Sequence, residues 1–186
     1  MPVTISPPTK ADGPEWVARA RASRRLHRPW IAMPDTPEAY AAYLERARDP
    51  RRAFYVVRRV EDGAIVGFAN LSEIIRGSLQ QAFLGFGAFA GGEGRGHMTD
   101  ALALVLRDAF TTHRLHRVEA NIQPANAASK ALAARAGLRC EGFSERYLKV
   151  GGRWRDHERW AITKEAWRAQ RSRSASRAGP TTTVSG

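Results

Sequence analysis

The stretch Gly91-Gly92-Glu93-Gly94-Arg95-Gly96 holds no nucleophile, yet its spacing is chemically informative. A turn with glycine at almost every other position can point several backbone N–H groups at one anion. Upstream, Ala82-Phe83-Leu84-Gly85-Phe86-Gly87-Ala88-Phe89 reads as a buried strand loosened by glycines. Downstream, Met98, Leu102, Val105 and Ala109 recur every three or four residues, the apolar face of a helix. A strand, a glycine turn and a helix N-terminus in that order make an anion cradle, because the helix dipole adds positive potential to the N–H donors. The expected ligand is a pyrophosphate group, and the competing reading is a glycine-rich turn that binds nothing.

The elements that must position this turn follow from the chain in order. Pro2-Val3-Thr4-Ile5-Ser6 reads as a short strand. Asp12 is placed to cap a helix with Pro14-Glu15 in its first turn, carrying Trp16, Val17 and Ala20 towards Leu26. His27-Arg28-Pro29-Trp30 breaks it, since proline turns the preceding residue away from helical angles. A second helix starts at Thr36-Pro37-Glu38 and ends near Asp49-Pro50. Strands from Ala53 to Val57 and from Ala64 towards Ile75 flank the hairpin signal Asp62-Gly63, and Arg76-Gly77-Ser78 turns into the strand before the glycine loop. Beyond the long helix, Val118, Ala120 and Ile122 alternate with Glu119, Asn121 and Gln123, a strand closed by Pro124. Asn126 caps a helix over Ala127 to Ala136, with Gly137 as its stop, and this strand–helix–strand unit is expected to form a parallel pair. Leu138 to Lys149 and Trp154 to Ile162, joined at Gly151-Gly152, read as a closing antiparallel pair. From Gln170 the chain is Ser, Arg, Thr, Gly and Pro without apolar period, so 1–169 is expected to be one domain and 170–186 a basic disordered tail.

Composition narrows the class. The 186 residues are 43% hydrophobic, ordinary for a globular chain. No run reaches the roughly 18 apolar residues of a membrane helix, and the N-terminus lacks the basic-then-apolar order of a signal peptide. Cys140 is the one cysteine, which excludes an internal disulfide and fits a reducing cytoplasm; it is expected to be a small buried residue and not a nucleophile. The net charge of +12 favours acidic partners such as nucleic acid, ribosomes or a polyphosphate ligand, although an arginine-rich surface kept for solubility accounts for it equally.

The whole pattern resembles the GNAT acetyltransferase superfamily, over roughly Val3 to Thr163. Gly91-x-x-Gly94-x-Gly96 is similar to that superfamily's acetyl-coenzyme A loop, with Gly91 where Gln or Arg is usual. Pro124-Ala125-Asn126-x-x-Ser129 with Ala136-Gly137-Leu138 resembles its second signature. Leu71-x-x-Ile74-x-Arg76-Gly77, Leu84-Gly85-Phe86, Glu141-Gly142 and Gly152-x-Trp154-x-Asp156-His157 resemble the Rim group of ribosomal-protein N-terminal acetyltransferases. The resemblance implies an α+β GNAT fold, a mixed central sheet of about six to seven strands flanked by helices. It also implies acetyl-CoA as cosubstrate and no metal.

Transfer to an amine needs a neutral nucleophile, a polarised thioester carbonyl and an acid for the leaving thiolate. By the resemblance, a backbone N–H at Phe86 or Gly87 meets the acetyl carbonyl, Gly92, Glu93, Gly94, Arg95, Gly96 and His97 hold the phosphates, and Asn126 holds the pantetheine arm. Arg95 either adds charge near the phosphates or faces solvent, and His97 is read as a backbone donor. Gly85 and Gly87 suggest a bulged strand, with relief of crowding beneath an aromatic ring as the alternative. Many relatives use a tyrosine as acid where this chain has Ala133, which leaves Ser129 as acid or sulfur-positioning donor, against a first-turn serine engaged with Asn126. The position of a glutamate base in some relatives is Asn121, which takes no proton; Glu119 on the same strand face and Glu73 on the meander are the carboxylate candidates, each also readable as a solvated surface group. His27 and Trp30 fall where related folds build the acceptor groove, Trp30 being readable as a packing staple as well.

The expected activity is acetylation of the N-terminal α-amine of a ribosomal or other protein, by a monomer or homodimer, with ribosome association through the basic surface. The rivals are acetylation of a polyamine or aminoglycoside, and a non-catalytic basic module that binds RNA or ribosomes.

Overall fold

A computed structural model describes residues 2–177, with side chains as far as Arg173. Seven strands form one sheet in the order β1-β2-β3-β4-β5-β7-β6. They are β1 Val3–Ser6, β2 Ala53–Arg59, β3 Ile65–Ile75, β4 Gln81–Ala88, β5 Arg117–Ile122, β6 Arg139–Val150 and β7 Arg153–Thr163. The helices are α1 Gly13–Ala22, α2 Arg24–His27, α3 Pro37–Ala47, α4 His97–Thr111, α5 Ala127–Arg135 and α6 Lys164–Arg177. The expected α+β architecture with a mixed sheet is present: β1 to β4 are antiparallel, β4 and β5 are parallel, and β5, β7 and β6 are antiparallel.

Strand alternation divides the core between the two faces of the sheet. Phe54 and Val56 of β2 and Phe68 of β3 join Trp16, Tyr40, Tyr43 and Phe89 in an aromatic layer under α1 and α3. Tyr55, Ala69, Leu71, Leu84, Val118, Ala120 and Ile122 pack on the other face against Leu102, Val105, Leu106, Ala109 and Phe110 of α4. The apolar stripe read from the sequence of α4 is thus its buried face.

Four expectations are corrected. Asp12 does not cap α1: its carboxylate accepts from the Thr9 N–H at 2.6 Å and pairs with Arg58, so the buried acid serves β2. The unit β5-α5-β6 does not make a hydrogen-bonded parallel pair, because β7 lies between β5 and β6. Ala161 and Ile162 of β7 are buried while most of β6 is exposed, as an inner and an edge strand should be; the hydrogen-bonded parallel pair joins β4 and β5, on either side of α4. Cys140 is exposed. Residues beyond Gln170 remain helical to Arg177. Trp167 packs at a tilt against Phe110 with ring centroids 5.3 Å apart, and Gln170 Nε2 donates to the Gly137 carbonyl at 3.2 Å, which anchors α6. The remainder of the expected tail lies outside the described residues.

Candidate active site

The central feature is a gap in the sheet. β4 and β5 pair only at Gln81–Arg117, Ala82–Val118 and Phe83–Glu119, after which β4 continues to Ala88 and β5 to Ile122 unpaired. On its other side β4 keeps a regular register with β3, from Phe83 opposite Ser72 to Ala88 opposite Gly67. The Phe89 N–H donates to the Val66 carbonyl at 2.9 Å. By the alternation of an antiparallel ladder, Gly85 and Gly87 turn their N–H groups to β3, while Leu84, Phe86 and Ala88 turn theirs into the gap. Of the two positions expected to meet a carbonyl, the ladder therefore leaves Phe86 with the free donor. No bulge occurs in this part of β4. Gly87 answers to crowding instead, since a Cβ there would stand 2.7 Å from the Phe68 ring, whereas a Cβ at Gly85 would meet nothing within 4 Å.

The glycine turn lies at the mouth of this gap. Gly94 and Gly96 have φ of 71° and 82°, the left-handed region that glycine alone enters at no cost. Gly96 is the N-cap of α4, and no side chain caps that helix, whereas Thr36 caps α3 and Asn126 caps α5. The first N–H groups of α4 thus remain available to an anion. A cavity of about 700 Å³ runs from this turn through the gap to the α1 face of the sheet. Its walls include Gly92, Gly94 and His97 at one end, Asn126, Ser129 and Leu132 along α5, and Leu26, Trp30 and Ile31 at the far mouth. Open N–H donors at one end and an unpaired strand edge in the middle fit the diphosphate and amide-bearing arm of acetyl-CoA.

Polar groups on the far side of the gap are few. Asn121 Oδ1 is buried without a partner among the described residues. His27 is buried, and one ring nitrogen, Nε2, lies 2.9 Å from the Ala88 carbonyl while Nδ1 is sealed and unpartnered. Burial pushes the His27 imidazole below its ordinary pKa of 6.5, against smaller opposing effects of the Ala88 carbonyl and Glu93. The ring resists protonation, so as pH falls below about 6.5 it withdraws stability until the folded ring itself takes a proton. His157 Nδ1 lies 2.9 Å from the Arg155 carbonyl, and Gln123 Nε2 donates to the Trp30 carbonyl at 3.4 Å.

The residues singled out in the sequence fare unequally. Phe86, Gly87, Gly92, Glu93, Gly94, Gly96, His97, Asn121, Asn126, Ser129, His27 and Trp30 all line the cavity. Glu119 does not: Arg117 Nε donates to it at 2.7 Å, and the acid stays on the paired part of β5. Glu73 also lies outside, exposed and 3.5 Å from Arg52. Glu73 thus fits the surface reading, while Glu119 is bound in a largely buried ion pair. Arg95 is exposed and its side chain does not line the cavity. His97 is buried with both ring nitrogens unpartnered. Ser129 fits both of its readings, because its backbone N–H donates to Asn126 Oδ1 at 3.1 Å while the residue still lines the cavity. Ala133, at the tyrosine position of many relatives, is fully buried away from it. Sequence reasoning gave no site role to His157, Gln123, Ile31 or Arg135, which also line the cavity. For His157 the local pattern Gly152-x-Trp154-x-Asp156-His157 carried a resemblance but no role, and its place at the cavity follows from the β5–β7 register.

Similarity to known proteins agrees with this geometry. A family model described as an acetyltransferase (GNAT) domain matches residues 3–139. The [Ribosomal protein uS5]-alanine N-acetyltransferase of Escherichia coli is 31% identical over 153 residues, 78% of this chain and 79% of that protein. The "Probable N-acetyltransferase YjcK" of Bacillus subtilis is 36% identical over 120 residues, 64% of this chain and 66% of its own length. Among solved structures, Mycobacterium smegmatis RimJ in complex with CoA-disulfide aligns with a TM-score of 0.82 at 30% identity, covering 92% of this chain and 89% of that one.

Proposed function

Because the chain belongs to the GNAT acetyltransferase family and is an acetyl-CoA-dependent N-acetyltransferase, we propose that the amine it serves is the N-terminal α-amine of a protein, foremost a ribosomal protein. The observation that carries this reading is the chemistry of the far mouth. Among the described residues, the carboxylates lining the cavity are Glu93 in the glycine turn, which is tied to the Gly91 N–H and acts weakly on His27, and Asp100 in the first turn of α4. The acceptor side offers Leu26, Trp30 and Ile31 with the neutral amides of Asn121 and Gln123. A polycation would find there no carboxylate beyond Glu93, which the Gly91 N–H already holds, whereas a peptide end has one amine and an apolar or small first side chain. The relation to the E. coli uS5-alanine enzyme points the same way.

In this reading Gly92 through His97 hold the diphosphate by backbone N–H groups, and Asn126 and Leu132 border the pantetheine arm. Acetyl-CoA bound there supplies the acetyl group as a thioester. The free Phe86 N–H is placed to polarise a carbonyl lying in the gap. The Ser129 hydroxyl is the donor placed for a departing sulfur. An N-terminal amine, with a pKa near 8, is already partly neutral at physiological pH. All of these residues belong to one chain, so the scheme holds for a monomer or a homodimer. The cytoplasm, where ribosomal proteins are made, is the proposed location. The basic surface would favour association with ribosomes there.

The test is an acceptor panel with acetyl-CoA: peptides with the N-termini of ribosomal proteins, spermidine, and an aminoglycoside. The expected result is acetylation of the peptide α-amine, located by mass spectrometry, with kcat/KM at least about tenfold above spermidine. A preference for spermidine or the aminoglycoside would overturn the reading.

A further inference from the structure

Neither the family signatures nor the carboxylates account for the proton that the amine must lose. Glu119 is held by Arg117 outside the cavity, and Glu73 lies outside it with Arg52. Glu93 is held by the Gly91 N–H in the glycine turn, Asp100 sits in the first turn of α4, and Asn121 takes no proton. That leaves three cavity-lining histidines. His97 has both ring nitrogens sealed, and His27 has its unbonded nitrogen sealed. His157 differs from both.

The residue is 3% exposed and its ring is held from two sides. One nitrogen, Nδ1, is 2.9 Å from the Arg155 carbonyl. A carbonyl only accepts, so that nitrogen carries the hydrogen and the other, Nε2, presents a lone pair when the ring is neutral. Tyr147 of β6 meets the ring edge-on at 6.3 Å between centroids, fixing its plane. Nε2 has no hydrogen-bond partner among the described residues and is not fully sealed, and the residue lines the cavity. The β5–β7 register, with Ile122 opposite Glu158, puts His157 beside Gln123 and on the same sheet face as Asn121. That face is where Gly85, Gly87, His27 and Trp30 border the acceptor side.

We propose that His157 is the general base of the transfer, with Asn121 Oδ1 accepting a hydrogen bond from the same amine. The amine lone pair forms the N–C bond to the acetyl carbon while the C–S bond breaks with its electron pair on sulfur. One proton passes from nitrogen to His157 Nε2, and one reaches sulfur from the Ser129 hydroxyl, which regains it from solvent. The inference rests on the acetyltransferase reading, but not on which amine is the natural acceptor.

His157→Asn is the decisive variant, because its amide can keep the donor to the Arg155 carbonyl while removing Nε2. With a peptide bearing an N-terminal alanine, kcat should fall about a hundredfold or more. Acetyl-CoA affinity by calorimetry should stay within about threefold of the parent chain, a change under about 0.7 kcal/mol. In His157→Ala, added imidazole should restore part of the lost turnover. Turnover of His157→Asn within about threefold of the parent would overturn the assignment, as would parallel loss of acetyl-CoA binding and melting temperature, which is the mark of a structural role. If the parent chain ignores the peptide, the acceptor reading falls, and the same comparison made on spermidine still decides His157.

Discussion

Glu93 is an anion inside an anion site. Its Oε2 accepts from the Gly91 N–H at 2.6 Å, and the residue lines the cavity at the end assigned to phosphate. The hydrogen bond orders the turn, but the charge opposes any phosphate that enters it. Glu93→Gln keeps an acceptor for Gly91 and removes the repulsion. Acetyl-CoA should bind about two- to fivefold tighter at low salt, the range of exposed charge pairs, with the gain shrinking as salt is added. Weaker binding in calorimetry would show that the turn needs the full carboxylate. At this scale the glycine turn was legible because its meaning is local: φ requirements and open N–H groups follow from residue type. The base was not, because Asn121, Glu119 and His157 are sorted only by which strand lies beside which. Two of the sequence's acids, Glu119 and Glu73, found arginines first.

The elements followed their patterns where one face is buried and departed where context decides. The stripe Met98, Leu102, Val105 and Ala109 is the buried face of α4 because its period matches the helix. The hairpin turns at Gly63 and at Gly151-Gly152 fell where residues with positive φ are needed. The position of β7 between β5 and β6 was not readable, since both strands alternate and only packing chooses between them. α6 was under-read for a related reason: its sequence is polar, and its anchors are a few contacts, chiefly Trp167 on Phe110 and Gln170 with the Gly137 carbonyl. Trp167→Ala should therefore lower stability by about 2 kcal/mol, the cost of a half-buried aromatic, and the melting temperature by about 4 to 8 °C. Turnover well below the transition should be unchanged, as Trp167 does not line the cavity. An unaltered melting temperature would mean that α6 adds nothing to the fold.

For the molecule as a whole, the net charge of +12 was visible from composition, but the local sign at each mouth of the cavity was not. Many of the arginines are spent in pairs, among them Arg58 with Asp12, Arg52 with Glu73 and Arg117 with Glu119 and Glu141. The remaining excess still sets the long-range field, which acts on a charged ligand before any contact forms. An anionic cosubstrate is drawn in by that field and a cationic acceptor is held off. Raising ionic strength from about 0.02 to 0.3 M shortens the screening length from roughly 20 Å to below 8 Å. The value of kcat/KM for acetyl-CoA should then fall several-fold, while that for spermidine should rise or hold. A peptide with a neutral first few residues should lie between the two. If salt left the acetyl-CoA dependence flat, Glu93 and Asp100 would be cancelling the global field at the phosphate mouth. Glu93→Gln should then restore the salt sensitivity, separating the local charge from the global one.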